Sequence, residues 1–273
     1  QGGNDLTLGS AISGVGGLTK SGAGLLTLNT ANTYAGATTL NGGTVALGNN
    51  QALSTGTINV TGASTLSAPG TINLSNAIIL GAGLTTASTG ALTLSGLLTG
   101  SSGLTKTGSG SLTLSGANTG SSGATALSAG TLLVTNNNSL GSGALNTAAG
   151  TSLDSTANVT LANNIGMTGA LNVLGSNALT LAGVLSGTGS ITKNGTASLT
   201  LTGNNTNSGN TILNAGTLFV GSNTALGTGA LTTAAGTTLD ASTAVALTNA
   251  VSLGGNLTVG GSANLTLGGI VSG

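Results

Sequence analysis

The chain of 273 residues has no cysteine, histidine or tryptophan, and one each of proline, tyrosine, phenylalanine and methionine. Charged residues make up 2% of it: the three bases are Lys20, Lys106 and Lys193, the three acids are Asp5, Asp154 and Asp240, and the formal net charge is zero. Without cysteine there is no disulfide framework, and without cysteine and histidine most zinc sites are excluded. Disorder of the charged, weakly apolar kind is excluded by a hydrophobic content of 38%. Apolar runs break after a few residues, as in "AIIL" (77–80) and "TLFV" (217–220), far short of the ~20 apolar residues a membrane-spanning helix needs. No charged segment leads into an apolar stretch at the start, so these residues are expected to include no signal peptide.

What is present is glycine, 51 of them, with leucine, alanine, threonine, serine and asparagine. Such a surface offers hydroxyls, amides and backbone instead of charge, with no long-range steering and nothing in bulk charge to repel a second copy. Short stretches alternate apolar with Thr, Asn or Ser and then meet a turn residue: "LLTLN", "TINLS", "NVTLA", "TLLVT", "NLTVG". Period-2 alternation predicts strands. Helix spacing is missing, and each glycine would cost a helix about 1 kcal/mol.

The chain also repeats itself. The lysines stand 86 and 87 residues apart, "LTL" begins at Leu6, Leu92, Leu179 and Leu265, "NT" at Asn32, Asn118 and Asn205, and "GT" at Gly43, Gly130 and Gly216. "GALNTAAGTSLD" (143–154) returns as "GALTTAAGTTLD" (229–240). Repeat units of about 6–91, 92–178 and 179–264, with 265–273 opening a further one, divide one continuous solenoid, expected to be a piece of a longer array. The expected fold class is all-β: a parallel β-helix in which each strand stacks on its equivalent one turn later. At roughly 20–22 residues per rung and ~4.8 Å between rungs, each unit makes about four rungs and advances about 19 Å. Glycines turn corners, leucines stack inside and threonines face out. Stability is then additive between neighbouring rungs, and exposed end rungs are adhesive strand edges.

"GGLTKSGAGLLTLNTANTYAGATTLNGGTVAL" (16–47) resembles the passenger-associated repeat of bacterial autotransporters, whose phrase runs GGLTKxGxGxLTLSGxNTYxGxTxxxxGTLxx. Looser copies are "GLTKTGSGSLTLSGANTGSSGATALSAGTLLV" (103–134) and "SITKNGTASLTLTGNNTNSGNTILNAGTLFV" (190–220). The repeat's tyrosine is Tyr34 in the first copy, with Gly120 and Asn207 in its place later. The resemblance implies a right-handed β-helical rod exported to the surface of a Gram-negative bacterium, and the motif covers about a third of each unit.

No catalytic, cofactor-binding or metal-binding residue is assigned. Polysaccharide hydrolysis needs two carboxyl groups ~5–9.5 Å apart, whereas Asp154 and Asp240 fall one unit apart and Asp5 lies elsewhere in its unit. With no His, Arg, Glu or Cys, no serine or threonine has an activating partner. One aspartate per unit cannot supply the six to eight oxygens of a calcium site, roughly the number that ion takes, so the aspartates read as turn caps. The lysines read as solvated turn residues that discourage sideways strand pairing. Three charges so spread cannot hold nucleic acid. Tyr34 and Phe219 are expected to pack in core or loop, and the sequons at 59–61, 158–160, 256–258 and 264–266 to be chance occurrences in a chain rich in Asn and Thr. The expected role is structural: an adhesin shaft, a spacer or the body of a surface fibre, on the outer cell surface. The expected partner is the protein itself, end to end or laterally, or a host or neighbouring cell surface. The alternative is a self-associating adhesive module acting through neutral faces; ice binding and glycan cleavage stand behind both.

Overall fold

The computed structural model describes residues 3–273. They form thirty-two strands, most of them three or four residues long, and no helix. The strands pair in parallel, in register, with their equivalents about 20 residues on: Leu179 faces Leu199, Thr180 faces Thr200 and Leu181 faces Leu201. The fold is a parallel β-solenoid with coils of about 20 residues.

The chain forms two compact units, one running to Leu133 and including Asn138–Gly143, the other comprising Val134–Asn137 and Ala144–Gly273. The first unit carries three ladders. One stacks Leu18–Ser21, Thr38–Leu47, Ile58–Ser67, Ile78–Leu80 and Leu98–Gly100. The next stacks Leu6–Leu8 and Leu25–Leu28 on the second halves of those two ten-residue strands, then Leu84–Thr86, Leu104–Lys106 and Thr125–Leu127. The third stacks Ile72–Leu74, Leu92–Leu94 and Ser111–Leu114. Thr38–Leu47 serves two ladders because it rounds a corner without ending, through a register shift after Leu40 and left-handed backbone at Gly42 and Gly43 (φ +127° and +71°).

The second unit repeats the arrangement. Thr151–Ser155, Leu171–Val173, Ile191–Lys193, Thr211–Leu213, Leu231–Ala234, Val251–Gly254 and Val271–Ser272 form one ladder. Val159–Leu161, Leu179–Leu181, Leu199–Leu201, Thr217–Val220, Thr237–Ala241 and Leu257–Val259 form another. On the remaining side Leu145–Thr147, Ile165–Met167 and Leu185–Gly187 stack together, and Val245–Leu247 stacks on Leu265–Leu267.

Alternation decides what faces inward. In "LTL" both leucines are buried and the threonine stays half-exposed, as at Leu92–Leu94 and Leu199–Leu201. Each fully buried leucine contributes roughly 1.5–3 kcal/mol of transfer free energy. The expected division of leucine inside and threonine outside is incomplete, however. Thr38, Thr86, Thr125, Thr147, Thr151, Thr211, Thr233 and Thr237 are buried. Threonine has the branched shape of valine and suits a strand, and several of these hydroxyls find a carbonyl: Thr151 Oγ1 donates to Ala148 O and Thr237 Oγ1 to Ala234 O, both at 2.7 Å.

The unit of repetition is not a whole number of coils. A step of 86 residues is four coils of 20 and about six residues more, and six residues carry the chain from one side of the coil to the next. Within the first unit Lys20 lies on the ladder of Leu18–Ser21, whereas Lys106 lies on the ladder of Leu104–Lys106, one side further round. Within the second unit Leu179 and Leu265, again 86 apart, stand on different ladders. Asp154 and Asp240 are likewise distributed over two ladders.

Candidate functional site

The repeated phrase places a lysine two residues after an inward leucine or isoleucine, so strand alternation turns the lysine inward as well. Lys20, Lys106 and Lys193 are buried, at 1%, 0% and 0% exposure, and are the largest fully buried side chains. This corrects the expectation of solvated turn lysines. Lys106 sits in its ladder between Thr86 and Leu127, and Lys193 between Val173 and Leu213. The four-methylene stem fills a leucine-sized slot while the ammonium reaches the coil's corner.

There it meets backbone oxygens. Lys20 Nζ donates to Gly22 O at 2.6 Å, Gly42 O at 3.1 Å and Ser21 O at 3.3 Å. Lys106 Nζ donates to Gly108 O and, at 3.2 Å, to Ala129 O. Lys193 Nζ donates to Gly195 O and, at 3.3 Å, to Ala215 O. Each ammonium therefore ties its own turn to the turn one coil later through backbone carbonyls at the corner. Burial lowers the pKa of all three lysines, and for Lys193 the charge of Asp154 opposes the shift.

The glycine of "GT" completes the cradle. Gly43 and Gly130 are left-handed (φ +71° and +72°), and a Cβ on either would stand 2.3 or 2.8 Å from the lysine Nζ. In the third copy a Cβ on Gly216 (φ +74°) would meet the carbonyls of Thr196 and Gly195, and it is a Cβ on Gly175 (φ +71°) that would stand 2.7 Å from the lysine Nζ.

The asparagine of "NT" is a second bracket. Asn32 Oδ1 accepts from Ile12 N–H at 2.7 Å and its Nδ2 donates to Ala52 O at 2.5 Å. Asn118 joins Leu98 N–H (2.8 Å) to Ser139 O (2.6 Å), and Asn205 joins Leu185 N–H (2.8 Å) to Ala225 O (2.6 Å). Each buried amide thus links the coils before and after its own. A further asparagine, which the sequence reading missed, recurs at Asn76, Asn163 and Asn249, all buried. Asn76 Nδ2 donates to Ser54 O and Gly56 O, and Asn249 Nδ2 to Gly227 O and Gly229 O. Its signal was the 87- and 86-residue spacing.

The turn that Asn76 holds contains Ser54, the one non-glycine residue with positive φ (+51°) among the described residues; the matching positions are Gly141 and Gly227, both at φ +64°. Ser54 Oγ donates to Tyr34 O at 2.6 Å, which anchors the serine there. Tyr34 itself is buried, its hydroxyl 2.5 Å from Thr38 Oγ1, and burial raises its pKa while that contact opposes the rise. Phe219 faces outward instead, half-exposed beside Thr200 and Asp240 on the neighbouring strands.

The aspartates cap turns of the following coil. Asp5 Oδ1 accepts from Leu25 N–H. Asp154 accepts from Ser176 N–H (3.0 Å) and Oγ (2.5 Å), and Asp240 from Ser262 N–H (3.2 Å) and Oγ (2.6 Å). The Ser262 hydroxyl holds the Asp240 carboxyl below its usual range. Among the described residues no three acidic, cysteine or histidine side chains converge as a metal set would. Two shallow grooves, one lined by Val251, Leu257, Val259 and Leu267 and the other by Asn223, Ala246, Asn264 and Thr266, contain no titratable side chain. No helix among the described residues is long and apolar enough to cross a membrane.

Ladders, brackets and caps define a repeat-built parallel β-solenoid whose coils are stitched by buried polar side chains. The stitched segments carry a known signature: the passenger-associated-transport-repeat family model matches residues 18–47, 104–134 and 191–220, so the chain contains three copies of that repeat. Each match runs from the lysine strand through the "NT" asparagine to the strand after "GT". No curated protein and no solved structure matches the chain. Three such repeats in a β-solenoid fit the structural body of a passenger domain, and the repeat implies a secreted, surface-exposed protein.

Proposed function

We propose that this chain is a structural segment of a bacterial extracellular β-helical rod, serving as an adhesin shaft or spacer or as the body of a surface fibre. The observation that carries the reading is the use made of each repeat: its lysine and asparagines bond to backbone of neighbouring coils, so its polar chemistry is spent on holding the coil together. On this reading the chain has no catalytic activity, because its three carboxylates serve as separate caps. Its contacts are then with other copies of itself or with a neighbouring cell surface.

Electron microscopy of the native protein tests this, with solution scattering of the 273-residue chain beside it. Thin uniform rods or filaments and an elongated scattering profile are expected. A compact globular radius overturns the reading.

A second reading, a self-associating adhesive module, has its own support in outward hydroxyl ladders: Thr65, Thr85 and Thr105 on one strand series, and Thr160, Thr180 and Thr200 on another. Association through such neutral groups is nearly indifferent to ionic strength. Sedimentation showing association abolished by moderate salt would sink it.

A further inference from the structure

We propose that Asn194–Gly195 is a self-modification site, at which the asparagine side chain is converted to aspartate or iso-aspartate through a cyclic imide. The chain contains two Asn–Gly steps, Asn41–Gly42 and Asn194–Gly195, and the structure treats them differently. This inference is independent of the mechanical role proposed above.

At residue 41 the step is locked. Asn41 pairs with Gly62 inside the strand Thr38–Leu47, and the Gly42 N–H donates to Ser64 Oγ at 2.9 Å. A committed amide proton and a fixed strand both oppose attack of that nitrogen on its neighbour's side chain.

At residue 194 the chain has just left the strand Ile191–Lys193, Asn194 is exposed, and the Gly195 N–H has no acceptor among the described residues. Two neighbours favour the reaction. Asn214 Nδ2 donates to Asn194 Oδ1 at 2.8 Å, which polarises the side-chain carbonyl and stabilises the oxyanion that forms on attack. The Lys193 ammonium, bonded to Gly195 O, places positive charge on the residue whose amide nitrogen must become anionic.

Water or hydroxide removes the Gly195 amide proton, and the nitrogen forms a bond to Asn194 Cγ. The bond from Cγ to the side-chain nitrogen breaks, and that nitrogen leaves as ammonia. One water then opens the five-membered imide, at Cγ to give aspartate or at the main-chain carbonyl to give iso-aspartate. One water is consumed and one ammonia released, with no oxidation or reduction. The product adds a negative charge where the chain has few. Its iso form also lengthens the main chain by one methylene just before the carbonyl that holds Lys193, loosening that bracket.

The test keeps the purified chain folded in mildly alkaline buffer and follows both steps by peptide mass spectrometry with iso-aspartyl labelling. A urea-unfolded sample serves as reference. Residue 194 is expected to convert at least tenfold faster than residue 41 in the folded chain, and at a similar rate in urea. Asn214→Ala, at an exposed position and checked for fold by circular dichroism, is expected to slow conversion at 194 several-fold. Equal rates at the two steps in the folded chain, a stable amide at 194, or an Asn214→Ala variant that converts as fast as the parent overturns the assignment.

Discussion

A lysine without an acidic partner in hydrogen-bond range, buried in a leucine ladder, is held by backbone oxygens alone. Replacing it with an apolar side chain of similar length keeps the packing but strands the carbonyls. Lys106→Met leaves Gly108 O and Ala129 O without their donor, and is expected to lower unfolding free energy by about 1–3 kcal/mol, read from urea titrations. The pH response has a definite sign. The folded-state lysine pKa lies below the ordinary 10.5, so between the two values the unfolded chain binds more protons and stability rises with pH. Tyr34, raised above its ordinary 10.0, opposes this once unfolded chains begin to ionise there. The melting temperature is therefore expected to climb as pH rises toward 10 and to flatten or fall beyond it. A monotonic fall over the whole range contradicts the burial of the ammoniums. The inward direction of these lysines was legible in "LTK", where alternation puts lysine on leucine's side; the rarity of buried charge argued the other way. The compensation lies in carbonyls from a turn 22 or 23 residues later, and no local pattern shows those.

At the scale of the element, strands of three or four residues are too short to be stable by themselves, and each survives by pairing above and below. The brackets reinforce the places where pairing stops, which are the corners. Asn205→Ala removes partners from Leu185 N–H and Ala225 O together, and is expected to cost roughly 2–6 kcal/mol, twice the usual penalty for one buried unmet group. An Asn205→Ala midpoint equal to the parent's would show the bonds to be incidental. The strands themselves were legible, since "LTL", "TINLS" and "NVTLA" alternate cleanly. Two features were not. Thr38–Leu47 and Ile58–Ser67 run unbroken through "NGG" and "TGA", because a register shift between them, with left-handed Gly42 and Gly43 in the first, lets the ladder turn without ending. Buried threonines such as Thr211 and Thr233 look identical in sequence to outward ones, and only the register of their neighbours, Ile191 and Leu213, assigns them inward.

For the whole molecule the ruling numbers are the coil of about 20 and the copy of 86 or 87 residues. The second is plain from the spacing of the repeated phrases; the first emerges only from pairing, so the remainder between them was hidden. Deleting residues 92–178, one full copy, would join Ala91 to Leu179 and set Leu179 on Ile72, the equivalent of the Val159 it stacks on now. The shortened chain is expected to keep its β signal per residue and a cooperative transition, since every bracket retains a matching partner. Loss of β structure in that deletion would show that the copies are not interchangeable. The remainder of about six residues has a consequence for anything that meets this surface from outside. Within either unit, a residue type that recurs after one copy comes back one side of the coil further round, as the lysine does from Lys20 to Lys106 and the aspartate from Asp154 to Asp240. A patch carried by every copy would therefore recur on a different side of the coil within the same unit. A repeated feature then never lines up along one side of a unit, and no side of the unit is singled out by it.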